Sequence, residues 1–125
     1  MKTVRLSLVL MLALATLSVS TSARASTPIV NSLYCYQISV QPPWFATYHC
    51  VADVSGGTGS YVYTWKIYSS HGNDTRGTSE PEIDYTCGRD SQFRIDLFVT
   101  DSAGATGSIM GGDHYSCNVW DFEPI

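Results

Sequence analysis

From about residue 26 onward, apolar and polar side chains alternate along the chain. In Tyr61–Tyr68, residues Tyr61, Tyr63, Trp65 and Ile67 fall on one side of an extended backbone, and Val62, Thr64, Lys66 and Tyr68 on the other. In Phe93–Thr100, the apolar set Phe93, Ile95, Leu97 and Val99 opposes Arg94, Asp96, Phe98 and Thr100. Period two marks a half-buried strand, because successive side chains leave it on opposite faces. The pattern predicts strands near residues 33–40, 46–54, 61–68, 75–79, 82–87, 93–100 and 105–110. Pro42-Pro43 breaks the first strand from the second, since proline cannot donate to a ladder. Gly56-Gly57-Thr58-Gly59 and Asp101-Ser102-Ala103-Gly104 supply two further turns. The inward sets place Tyr63, Trp65, Ile95, Leu97 and Val99 in the core.

The first 25 residues follow another pattern. Lys2 and Arg5 precede a short apolar stretch interrupted by Ser and Thr, and Ala23-Arg24-Ala25 offers the small residues that a signal peptidase reads. Residues 1–25 therefore read as a cleaved export signal of bacterial style, and residues 26–125 as a single domain. No stable membrane insertion is expected after cleavage, and the expected location is secreted, extracellular or periplasmic. Cleavage also changes the charge. Lys2, Arg5 and Arg24 leave, so four cations (Lys66, Arg76, Arg89 and Arg94) remain against eleven carboxylates. The formal net charge thus moves from −4 to −7. Affinity for nucleic acid or anionic headgroups rests on Lys and Arg neutralising phosphates. Nucleic acid is excluded as a partner on that ground.

Two segments carry a likeness to a known family. Val54–Trp65 reads Val-Ser-Gly-Gly-Thr-Gly-Ser-Tyr-Val-Tyr-Thr-Trp, and Val99–Gly104 reads Val-Thr-Asp-Ser-Ala-Gly. Together they resemble the PKD-type (polycystic kidney disease) branch of the immunoglobulin-like domains, over Cys50 to about Met110. The resemblance implies an all-β fold, a seven-stranded immunoglobulin-like (PKD-like) antiparallel β-sandwich with Trp65 at the centre of its core. Many such modules follow the Trp with a Gly-Asp-Gly turn, whereas Lys66-Ile67-Tyr68 continues the strand here. Families of this kind mostly supply binding, adhesion or spacer functions on secreted proteins.

Four cysteines in an exported chain read as two disulfides, with three possible connectivities. A hairpin folded at Pro42-Pro43 sets Cys35 opposite Cys50, within bridging reach. In a sandwich with strands alternately up and down, Cys87 and Cys117 fall at the same end as Pro42-Pro43. The expected pairing is Cys35–Cys50 with Cys87–Cys117. Tyr85, two residues before Cys87, leaves a rival open, a Cys50–Cys87 bridge beside a tyrosine corner. That same end collects Trp44, His71, Arg89, His114, Tyr115 and Trp120, while the opposite end carries small residues. Trp44, Tyr115 and Trp120 are the candidate binding residues, with closure of the open end of the core as the competing role.

Chemistry beyond binding finds no motif. There is no Gly-x-Ser-x-Gly, His-Glu-x-x-His or P-loop, so no catalytic residue and no cofactor are assigned. The cysteines and histidines lack zinc spacing, and Asp53, Asp74 and Asp101 lack that of a Ca²⁺ loop, so no metal is assigned either. Asn73-Asp74-Thr75 is an N-glycosylation sequon. The expected function is a secreted non-catalytic binding, adhesion or structural module whose partner is an extracellular protein or polysaccharide. The alternative is a secreted inhibitor or effector of a partner enzyme. A hydrolase is the third reading.

Overall fold

The computed structural model describes residues 26–120, so the expected export signal lies outside the described residues, as do residues 121–125. Eight strands follow in order: β1 (Pro28–Gln41), β2 (Phe45–Gly56), β3 (Tyr61–Ser69), β4 (Gly72–Thr78), β5 (Glu82–Gly88), β6 (Gln92–Asp101), β7 (Thr106–Ile109) and β8 (His114–Ser116). Every pairing is antiparallel. One sheet runs β1-β2-β5; the other runs β4-β3-β6-β7, with β8 also on β6.

The expectation of seven strands is corrected to eight, and the reason is local. Alternation makes the segment after Gly104 one strand, near residues 105–110, and nothing beyond it alternates for long enough to mark another. The chain instead rejoins β6. Ile109 pairs with Leu97 and His114 with Arg94, so three steps along β6 face five along the other chain. Gly111 takes up the detour with a φ of 68°. Its N–H donates to Asp96 Oδ1 at 3.0 Å rather than to the ladder. A two-residue bulge of this kind hides a strand from a reading based on period two.

The two sheets meet across one core. Trp65, Leu97 and Val99 are wholly buried, and Tyr63 and Ile95 nearly so. The Trp65 Nε1–H donates to Thr78 Oγ1 at 2.9 Å, so its one polar atom is satisfied inside the fold. Phe93 of β6 packs its ring against Tyr48 and Tyr85 of the other sheet, 5.1 and 4.8 Å between centroids. Cys35 bridges to Cys50 across the β1–β2 ladder with 4.0 Å between Cα atoms, and Cys87 bridges to Cys117 with 6.0 Å.

Three features distinguish the faces, ends and edges of the molecule. On the outer face of the first sheet, Tyr34, Val51 and Glu82 form one row across β1, β2 and β5, and Tyr36, His49 and Asp84 form the next. At one end of the molecule, the buried Asp101 carboxylate accepts from the backbone N–H of Thr58, Ala103 and Ala105 at 2.8–3.0 Å. This joins the β2–β3 and β6–β7 turns. Finally, β4 lies at an edge of the second sheet, and its sequence Gly-Asn-Asp-Thr-Arg-Gly-Thr holds no apolar side chain larger than a methyl group.

Candidate functional site

The other end of the molecule gathers the β1–β2 turn, the β3–β4 turn, the β5–β6 corner and the segment after β8. The β1–β2 turn is closed by Trp44 N–H donating to the Gln41 carbonyl at 3.0 Å. The Trp44 carbonyl then accepts from Arg89 N–H at 2.8 Å, which ties this turn to the β5–β6 corner. That corner is held in turn by Ser91, whose N–H and Oγ–H both donate to the Gly88 carbonyl. Asp90 occupies the left-handed region with a φ of 63°, a conformation that Asp tolerates better than most residues.

The segment after β8 is fixed by several independent ties. Cys117 is in a disulfide, and its N–H donates to the Ser91 carbonyl at 2.9 Å. The Tyr48 hydroxyl donates to the Ser116 carbonyl at 2.6 Å, and Gln37 Nε2 donates to the Asn118 carbonyl at 2.8 Å. Burial, with the neighbouring Tyr115 adding to it, raises the Tyr48 pKa, so this hydroxyl keeps its proton. Val119 fills the core, and Trp120, the next residue, points away from it.

Of the three aromatic candidates, the structure separates one from two. Tyr115 is partly buried against the core, with its ring stacked 5.2 Å from Phe93 and its hydroxyl accepting the Cys35 N–H at 3.0 Å. Tyr115 and Val119 close this end of the core. Trp44 and Trp120 do not, since they are 60% and 65% exposed. Between them stands Arg89. Its guanidinium lies 5.4 Å from the Trp44 ring centre, and its Nε lies 3.3 Å from an Asp90 carboxylate oxygen. Arg89 and Asp90 form the shared rim of two open depressions. One, of about 450 Å³, is lined by Trp44, Phe45, His71 and Gly88. The other, of about 340 Å³, is lined by Ser91, Gln92 and residues 116–120.

Phe45, which is exposed here, and the central place of Arg89 escape a reading of alternation, because both sit where a strand meets a turn and period two has no hold. The composition of the corner is the only signal that reaches them. His71 borders the first depression and His114 a smaller one, of about 290 Å³, beside Arg94 and Tyr68. Among the described residues, no three His, Cys, Asp or Glu side chains gather in a way that would hold a metal ion. Their cysteines are all in disulfides. No described helix is long and apolar enough to cross a membrane.

No protein-family model, curated protein or solved structure matches this chain.

Proposed function

We propose that this chain is an exported, non-catalytic binding module, an immunoglobulin-like β-sandwich of PKD-like type, that engages an extracellular macromolecule through Trp44, Phe45, Arg89 and Trp120. The observation that carries the reading is the exposure of two indoles on backbone that is firmly tied. Exposing so much aromatic surface gains nothing for folding. Holding it rigidly lowers the entropy that a partner must remove on binding. Trp and Arg are also the side chains that most often dominate the energy of a contact surface. The relief favours a macromolecule, since a small ligand needs a concave site that buries most of its surface. These two depressions are open and share a rim. Two disulfides fit an oxidising compartment, which agrees with export.

Intrinsic fluorescence tests this, because Trp65 is buried while the other two described indoles face solvent. Titration of the processed protein with candidate polysaccharides and extracellular proteins should shift the emission to the blue and protect it from acrylamide. Trp44→Ala and Trp120→Ala should leave thermal unfolding within about 0.5 kcal/mol of the parent. Each should weaken the interaction by roughly 2 kcal/mol, some thirtyfold. If both variants bind as the parent does, the reading fails.

A further inference from the structure

The outer face of the β1-β2-β5 sheet is a second surface, chemically unlike the first. Two lines of side chains run along it. Tyr34 and Tyr36, both exposed and stacked 6.1 Å apart, project from β1. Glu82 and Asp84 project from β5 in the same two rows, and Asp53 extends the acidic character on β2. Strands lie about 4.8 Å apart, so the lines are separated by roughly 10 Å, with β2 between them. The floor between them is Val51 and His49, the latter with Nδ1 at 2.6 Å from Asp84 Oδ1.

The lysine and arginine side chains of the described chain stand elsewhere. Lys66 and Arg94 lie on the opposite outer face, each about 4.8 Å above an aromatic ring, Phe98 and Tyr68 respectively. Arg89 belongs to the aromatic end. Arg76 comes nearest, but it donates to the Asp84 backbone carbonyl at the sheet edge and pairs with Asp74. Lysine and arginine are thus missing where tyrosine faces and carboxylates are concentrated, and the basic group among them is His49, which lies within 3.4 Å of Glu82 and 2.6 Å of Asp84. Tyrosine faces and carboxylates attract the same ligand, since an aromatic face draws an ammonium or guanidinium through its quadrupole and a carboxylate draws it by charge.

We propose that this face binds a cationic protein segment, an extended stretch with Lys or Arg at alternate positions lying lengthwise over β2. Alternation is required because the rows repeat every second residue along each strand. A basic head on one side reaches the carboxylates of β5, and its methylene stem covers Val51 and the tyrosine rings. The net charge of −7 for residues 26–125 draws a basic partner from a distance and opposes a second copy of the chain.

The test uses the processed protein and synthetic peptides of alternating Lys-Ser, Glu-Ser and Gly-Ser. It is read by calorimetry at low salt and mildly alkaline pH, which lowers the protonated fraction of His49. The Lys-Ser peptide alone should bind, and added salt should weaken it. Glu82→Gln with Asp84→Asn should cost about tenfold in affinity, and Tyr34→Ser with Tyr36→Ser a comparable factor. Asp90→Asn with Asp113→Asn makes the same change in net charge away from this face and should leave binding within about twofold. Equal losses in the two carboxylate pairs would show general attraction to an acidic protein and overturn the proposal. No binding of the Lys-Ser peptide, or indifference to the tyrosine changes, would do the same. So would self-association of the free protein that the Glu82 and Asp84 changes abolish.

Discussion

His49 holds its proton to higher pH than an ordinary histidine, because Asp84 accepts a hydrogen bond from its ring. The Asp84 and Glu82 charges add to this effect, while partial burial opposes it. Tyr36 meets the same ring edge-on from β1, 5.5 Å between centroids. A group whose pKa rises on folding stabilises the fold fully below its unfolded value, about 6.5 for histidine. That contribution is lost as the pH climbs through the higher folded value. An NMR titration should therefore find the His49 ring titrating above a histidine in an unfolded peptide. Asp84→Asn should return most of the difference and flatten this part of the stability profile. The same residue type can have opposite fates elsewhere. Trp65 sits in the middle of an alternating run, and its burial is legible from its neighbours. Trp44 follows two prolines and Trp120 follows Val119 near the end of the described chain, so no period assigns either one a face. Tyr115 was legible only as an aromatic near one end, because the strand that turns it inward is hidden behind Gly111-Gly112.

At the scale of elements, turns decide which segments share an end. Asp101 is an example. Its two carboxylate oxygens take three backbone N–H groups from two turns, so one side chain closes the β6–β7 turn and clasps it to the β2–β3 turn. The Ser102 hydroxyl adds a bond to the Thr58 carbonyl at 2.6 Å. Hydrogen bonds to a charged acceptor contribute more than neutral ones, and leaving the partly buried N–H donors without a partner costs further. Asp101→Ala should therefore destabilise the protein by about 3 kcal/mol or more, seen as a lower urea midpoint with an unchanged slope. The binding proposed for the aromatic end, far along the strands, should persist in the surviving folded fraction. Sequence marks Asp101-Ser102-Ala103-Gly104 as a turn. That the Asp reaches across to Thr58 depends on how the strands are ordered, which turn chemistry alone does not encode. The β1–β2 register is different. Pro42-Pro43 and the cysteine positions specify it together, and the ladder pairs Cys35 with Cys50 despite two irregularities along β1.

On the scale of the whole molecule, the two disulfides have unequal duties. Cys35–Cys50 joins strands that already share a ladder, whereas Cys87–Cys117 fastens the segment carrying Val119 and Trp120 to the body. Replacing Cys87 and Cys117 by Ala should cost about 3–4 kcal/mol. Urea titrations of the parent and the variant, both without reductant so that Cys35–Cys50 stays closed, would measure that loss. The binding proposed for the aromatic end should fall further than the unfolded fraction accounts for, because half of the proposed site loses its anchor. Charge is likewise partitioned, with carboxylates and tyrosines on one outer face and Lys66 and Arg94 on the other. The β4 edge bears on a different matter, the behaviour of many copies together. An exposed strand edge is a template on which another chain can add a strand, and such growth is driven by apolar side chains meeting across the new pair. Asn73, Asp74, Thr75 and Arg76 offer an incoming strand two charges and no greasy surface to bury. The protein can therefore be concentrated without its sheets extending into fibres from that side.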